Sequence, residues 1–342
     1  MIREGIQAVV GGRNLTEAEA IAVMTEIMEG NATPAQIGAF IIGLRMKGET
    51  VEEITGCARV MRDKATFIPT PPGSTPVDTA GTGGDGAHTF NISTTAAFVA
   101  AGAGVLMAKH GNRAASSRCG SADLLEALGI DIALEPAGVE AALRDVGMGF
   151  LFAPALHGAM RHAIGPRREI GVRTIFNVLG PLTNPAHAQH QLVGVYDEAL
   201  TAPLAMVLHN LGAKRAFVVH GSDGLDELTT TGPTTVSELC RGTVHTYQVG
   251  PEDFGLPYNR PEELHGDDAP YNADLTLRLL RGEKLPQRGI VLLNAAAAIA
   301  ASTAEDSIAD CLPQAQEALD SGRALAKLEQ LREFTHAWSP TS

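Results

Sequence analysis

Along the first sixty residues, apolar positions recur at helical spacing, and each run opens on a capping signal. Thr16-Glu17-Ala18-Glu19 is a capping box, in which the Thr hydroxyl accepts from a backbone N–H and the Glu reaches back. Ile21, Met24 and Met28 follow at helical steps, and Gly30 stops the run. Thr33-Pro34-Ala35-Gln36 repeats the box with Pro in the first turn, ahead of Ile37, Phe40, Ile41 and Leu44. Thr50-Val51-Glu52-Glu53 opens a third helix. The stretch from Phe67 to Val77, carrying Pro69, Pro71, Pro72 and Pro76, reads as a linker.

Beyond the linker, short apolar runs alternate with helical stretches. Strands are expected at Val105–Ala108, Gly149–Phe152, Ala216–His220 and Val244–Gln248, with a weak signal at Pro76–Ala80. Helices are expected at Thr94–Ala103, Asp123–Leu128, Pro136–Val146, Ala202–Leu211, Ala295–Ala301 and Ala315–Phe334. This alternation predicts a layered α/β domain behind a small helical unit. The order of the strands cannot be read from the pattern.

The chain has 342 residues, 44% of them hydrophobic and 19% charged, an ordinary globular balance that suits two unequal domains. Its net charge of −13 argues against nucleic acid or acidic membranes as partners. Four scattered cysteines, none in a C-x-x-C pair, suggest neither a disulfide framework nor a zinc site. Met1 to Val10 has no leader-like apolar core, and the longest apolar stretch, Thr95 to Ala108, is too short to span a bilayer. The cytoplasm is the expected compartment.

Gly81-Thr82-Gly83-Gly84-Asp85-Gly86 formally satisfies G-x-G-x-x-G, but a dinucleotide site would want an acidic residue about 20 positions on. No Asp or Glu stands between Asp85 and Asp123, and no Walker A motif occurs. Thr89-Phe90-Asn91-Ile92-Ser93-Thr94-Thr95 instead places hydroxyls and an amide ahead of an apolar helix, whose free N–H groups suit a phosphate or diphosphate. Ser93 or Thr94 simply capping that helix is the plainer alternative. Lys109-His110-Gly111-Asn112-Arg113-Ala114-Ala115-Ser116-Ser117-Arg118 then brings positive charge to the end of a predicted strand, against the acidic trend of the chain. A loop at that place in an α/β sheet is suited to an anion; a solvated surface loop is the bland reading.

GTGGDG, TFNIST and KHGNRAASS-x-x-GSADLLEALG together resemble the anthranilate phosphoribosyltransferase family. The resemblance continues through Gly171 to Asn177, Gly180 to Pro185 and Gly224-Leu225-Asp226-Glu227, in order over nearly the whole chain. It implies a helical dimerisation domain over 1–72, with part of 165–190 as a candidate addition. An α/β catalytic domain over 73–342 would carry a central mixed, mostly parallel sheet flanked by helices. It also implies transfer of the 5-phosphoribosyl group from 5-phosphoribosyl 1-diphosphate to the amine of anthranilate, with magnesium, two ions being expected, and a homodimer.

Carried over by motif, the donor site would comprise Gly81, Gly84, Asp85, Thr89, Asn91, Ile92, Ser93 and Thr94. Lys109, His110, Gly111, Asn112, Arg113, Ala114, Ala115, Ser116, Ser117 and Ser121 would complete it. Gly81, Asn112 and Arg167 would meet anthranilate, with Arg168 the alternative to Arg167, and Pro166 would place the Arg in a first helical turn. Ser93, Asp226 and Glu227 would serve the metal, although an adjacent acidic pair is ordinarily just surface. Lys109, Asp226 and Glu227 would act electrostatically, and no covalent intermediate is expected. Met148, Phe150 and Ala153 are candidates for apolar walls, with core packing the alternative. A pyrimidine nucleoside phosphorylase-like enzyme and an inactive nucleic-acid-binding paralogue are the rival readings.

Overall fold

The computed structural model describes residues 1–114, 118–304 and 306–339. Its first helices, α1 (Ile2–Val10), α2 (Glu17–Met28), α3 (Pro34–Lys47) and α4 (Val51–Lys64), form a bundle. Both predicted capping boxes close, and Thr50–Glu53 makes a third: the Thr16, Thr33 and Thr50 hydroxyls accept from the third residue of their helices, and Glu19, Gln36 and Glu53 bond back. The stretch 65–76 has no regular structure, as its prolines dictate.

The α/β half opens with β1 (Val77–Gly81), α5 (Ile92–Gly102), β2 (Met107–Gly111), α6 (Ser121–Ala127), α7 (Pro136–Asp145) and β3 (Met148–Phe152). Three helices follow, α8 (Ala153–Leu156), α9 (Arg161–Ile170) and α10 (Ile175–Leu182), of which α9 packs back on α2 and α3 and α10 on α3 and α4. Next come β4 (His190–Gly194), α11 (Thr201–Asn210), β5 (Arg215–Gly221), β6 (Thr234–Cys240) and β7 (Thr243–Val249). The chain ends in α12 (Ala269–Leu280), α13 (Arg288–Ser302), α14 (Ile308–Asp320) and α15 (Arg323–Ala337).

Among the described residues the strands form one seven-stranded sheet in the order β3-β2-β1-β4-β5-β6-β7. The pairs from β3 to β5 are parallel, and β6 and β7 join antiparallel. The fold is therefore a helical domain joined to an α/β domain with a mixed, mostly parallel sheet. The chain runs outward from β1 in one direction and from β4 in the other, which makes the β1–β4 boundary the topological switch point where α/β sheets bind ligands. On one face, α5 and α13 are almost wholly buried and rich in Ala, which lets the helices approach each other and the sheet closely. The other face packs on α11 and continues without a break into the helical bundle.

Two expectations need correction. The expected helix over Ala315–Phe334 is two, because Gly322 takes φ 78° at the break between α14 and α15. The expected strand at Val105–Ala108 starts two residues later and runs through His110 to Gly111.

Candidate active site

At the switch point, β1 and β4 end on glycines for a steric reason. A Cβ on Gly194 would lie 1.5 Å from the Asp226 carbonyl oxygen, and one on Gly81 would lie 2.3 Å from Asp226 Oδ2. Both strands stop short so that the loop between β5 and β6 can lay Asp226 and Glu227 across their ends. The Gly83 N–H donates to Asp226 Oδ2 at 2.7 Å, and the Ser93 N–H in the first turn of α5 donates to Glu227 Oε1 at 3.2 Å. An acid at a helix N-terminus meets both a free N–H and the positive end of the dipole.

Dense surroundings raise both carboxyl pKa values, and neighbouring acids raise them further: Asp85, which also shares a hydrogen bond, acts on Asp226, and Asp226 acts on Glu227. Lys109 partly offsets this at Glu227. Three acids thus crowd one corner with a single cation beneath them, an arrangement that a bound cation would relieve. The donors are carboxylate oxygens, the chemistry magnesium prefers. Among the described residues no three His, Cys, Asp or Glu side chains converge as a ready-made metal cage. Magnesium is commonly held by one or two carboxylates and completed by substrate oxygens.

The glycine loop and the basic segment meet beside this corner. Asn91, the N-cap residue of α5, donates from Nδ2 to the Cys119 carbonyl at 3.1 Å, while its Oδ1 accepts from Asn272 Nδ2 at 3.1 Å. The helix is thus capped by neither Ser93 nor Thr94. Ile92 and Thr94 are buried, and the Thr94 hydroxyl has no partner among the described residues. Thr89 bridges to His265. Gly84 takes φ 74°, and its carbonyl accepts from Arg173, whose guanidinium lies 4.1 Å from the Tyr196 ring centroid.

The basic segment is better neutralised than its sequence suggests. Lys109 is buried and donates to the Thr79 carbonyl at 2.6 Å, with burial lowering its pKa against the pull of Asp78 and Glu227. Arg113 pairs with Glu126 and Asp123, and Arg118 with Asp267. These acids are close in space, which sequence distance conceals. Asn112 and Gly111 lie at the end of β2, the Ala114 N–H donates to Asp123 at 2.9 Å, and Ser121 Oγ donates to the Asn112 carbonyl at 3.2 Å. Ala115, Ser116 and Ser117 lie outside the described residues.

His110 is also buried: its N–H donates to Asp78 at 2.9 Å, and its Nε2 lies 3.2 Å from His157 Nε2. One ring of the pair donates and the other accepts, according to their tautomers. Burial pushes His110 down to about 3 and His157 to about 4, so both are neutral at pH 7.

Arg167 does not open its helix. It lies in the last turn of α9 with Pro166 inside the helix, so the expectation of a first-turn position is wrong. The Arg167 guanidinium is half-buried, stands 5.0 Å from the Phe176 ring centroid, and pairs with no carboxylate among the described residues; its pKa is lowered by burial. Arg168 faces solvent, also without an ion pair among those residues. Met148 and Phe150 belong to the core under the sheet, whereas Ala153 is only partly buried and outside it. Sequence reasoning gave no role to Arg173, Asp223 or Asn294. Their one visible signal was an isolated polar residue in the apolar run of α13.

A sheet switch point fitted with a glycine loop, an acidic pair and a helical bundle defines a class. Residues 73–325 match the glycosyl transferase family a/b domain, and residues 3–65 match its helical bundle domain. An anthranilate phosphoribosyltransferase of Geobacter sulfurreducens is 56% identical over 98% of this chain and all of its own length. The crystal structure of the Thermus thermophilus anthranilate phosphoribosyltransferase superposes with a TM-score of 0.92 at 43% identity, covering 97% of this chain and 99% of that one. The Saccharomyces cerevisiae enzyme in complex with PRPP and Mg gives 0.89 at 27% identity, over 98% of each chain. The chain belongs to the anthranilate phosphoribosyltransferase family.

Proposed function

We propose that this chain transfers the 5-phosphoribosyl group from 5-phosphoribosyl 1-diphosphate to the amine of anthranilate. The products are N-(5-phosphoribosyl)anthranilate and diphosphate, as in the second step of tryptophan biosynthesis from chorismate. The observation that carries the reading is the acidic pair Asp226–Glu227 laid across the glycine ends of β1 and β4, beside the glycine loop. Family membership favours it over a phosphorylase or a nucleic-acid-binding protein, and the charge of −13 also argues against the latter.

Cleavage of the anomeric bond leaves positive charge on the sugar and negative charge on diphosphate, so the protein's task is to hold and neutralise the leaving group. Magnesium, when bound, supplies a charge clamp on the diphosphate oxygens. Asp226, Glu227 and Ser93 would hold it, with two ions expected. Gly81, Gly84, Asp85, Thr89 and the turn from Asn91 to Thr94 would cradle the donor, together with the segment from Lys109 to Ser117 and Ser121. Lys109, buried beneath the site, holds a positive charge near Glu227 rather than reaching outward. Arg167 would pair its planar fork with the anthranilate carboxylate, and Asn112 and Gly81 would complete that subsite. Anthranilate's amine is already neutral at pH 7, so no strong base and no covalent enzyme intermediate are needed.

Residues 1–72 would form the dimerisation domain and residues 73–342 the catalytic domain, in a cytoplasmic homodimer. No helix among the described residues is long and apolar enough to cross a membrane. The test is the decay of anthranilate fluorescence on adding 5-phosphoribosyl 1-diphosphate. A decay that requires protein, donor and magnesium supports the reading. Donor-dependent heat protection without decay redirects the search to another acceptor, and the absence of both signals overturns the proposal.

A further inference from the structure

The loop that carries the acidic pair is gripped from two sides, and the inner grip is unusual. Asn294 is fully buried in the middle of α13, in the run Ile-Val-Leu-Leu-Asn-Ala-Ala-Ala-Ala. An amide placed there costs stability unless its groups are bonded. Its Oδ1 accepts from the Leu228 N–H at 3.1 Å, and its Nδ2 donates to the Leu228 carbonyl at 2.8 Å and to the Ile290 carbonyl at 2.9 Å. Both backbone groups of the residue after Glu227 are thereby fixed to a buried helix. On the solvent side, Asp223 accepts from the Leu225 N–H at 3.2 Å and from the Thr229 hydroxyl at 2.6 Å, and also from Thr231.

We infer that Asn294 is a positioning residue for metal binding: its two-bond clasp on Leu228, opposed by Asp223, fixes the Asp226–Glu227 peptide against the ends of β1 and α5. The need for such a clasp follows from the site itself. Asp226 and Glu227 repel one another, and the glycine loop and α5 each offer them one backbone N–H donor. Without an external hold, the peptide between them would turn to separate the charges. The inference rests on the proposed metal role of this pair.

The test uses Mn2+ as a spectroscopic stand-in for magnesium, titrated in the presence of inorganic diphosphate and followed by electron paramagnetic resonance. Asn294→Ser should weaken Mn2+ binding about ten- to a hundred-fold, the usual cost of losing a group that orients a metal ligand. The magnesium concentration for half-maximal turnover should rise in step while the KM for anthranilate holds. Ile299→Ala, a core truncation elsewhere in α13, should lower the melting temperature without moving either metal readout, as a merely structural role would. Should Asn294→Ser fail to fold, Asp223→Ala loosens the same loop from its exposed side and should shift Mn2+ binding in the same direction. Wild-type affinity in whichever of these variants folds, beside a wild type that binds Mn2+, overturns the inference alone. A wild type that binds no Mn2+ with diphosphate overturns the metal reading and the inference with it.

Discussion

Arg167 and Arg168 are neighbours in sequence with the same charge, yet the fold gives them different chemistry. Arg167 is half-buried over Phe176 and has no carboxylate to neutralise it among the described residues, whereas Arg168 is solvated. A charge-assisted bond to a partly desolvated guanidinium contributes about 1.5–3 kcal/mol. Arg167→Ala should therefore raise the anthranilate KM by about ten- to a hundred-fold, and Arg168→Ala should leave it within about twofold. The reverse ranking in steady-state kinetics would transfer the acceptor role to Arg168. The buried histidines give a second residue-scale expectation. In the unfolded chain both titrate near 6.5, whereas burial holds His157 at about 4 and His110 at about 3. Between those limits the unfolded state binds more protons. Their contribution to stability is thus complete above about pH 6.5 and is lost as pH falls through the folded values. His157→Gln keeps a side chain that can donate to or accept from His110 Nε2 and removes one titrating ring. The drop in melting temperature between pH 7.5 and 4.5 should be smaller in this variant than in the wild type, and equal drops would mean that His157 does not carry the shift.

Individual elements were legible where periodicity and end signals agreed. The bundle helices α2 and α3 were readable because a capping box, an apolar stripe and a closing glycine coincide in each, and the start of α4 was readable from Thr50 to Glu53. Strands β4 and β6 were not. His190-Gln191-Leu192-Val193-Gly194 opens on polar residues that the fold then covers, with Gln191 fully buried and bonded to the Pro181 carbonyl. Thr234 to Cys240 buries Thr and Ser among its apolar positions, so its alternation is blurred. The site was legible as motifs but not as contacts. Nothing local to Arg113 reveals that Glu126 will neutralise it, and nothing local to Gly194 reveals that Asp226 lies against it. The Gly194 contact predicts an element-scale effect. A methyl on Gly194 would overlap the Asp226 backbone, which cannot swing aside as a flexible side-chain end would. Gly194→Ala should cost about 1–3 kcal/mol in urea unfolding. It should also cut turnover well beyond any loss of folded protein, because the strand end and the acidic loop must part. A variant with wild-type turnover would show that the loop position at β4 is not required.

The whole molecule places the two substrate sides on differently anchored parts. The donor corner is built on β1, β4, α5 and the β5–β6 loop, whereas Arg167 rides on α9, which packs on α2 and α3. The position of the bundle therefore sets the position of Arg167 relative to the donor. Two arginines of α4 fix that position. Arg62 donates from Nε to the Leu182 carbonyl at 2.7 Å and from Nη1 to the Leu211 carbonyl at 3.1 Å, and Arg59 donates to the Asn210 carbonyl at 2.6 Å. Each reaches the C-terminal end of α10 or α11, where unpaired carbonyls and the helix dipole favour a cation. Beneath them, a single apolar layer runs from Phe40 and Ile54 in the bundle to Val193 and Val218 in the sheet. Bundle and sheet should accordingly unfold together in one calorimetric transition. Replacing Arg59 and Arg62 by Ala removes the polar clamps and leaves the apolar layer, so the bundle should loosen without dissociating. The anthranilate KM should then rise several-fold more than the KM for 5-phosphoribosyl 1-diphosphate, because only the acceptor Arg is carried by the part that moves. An equal rise in both constants would mean that the clamps support the α/β domain as a whole, and that α9 is held in place by β3 and the loops around it rather than by the bundle.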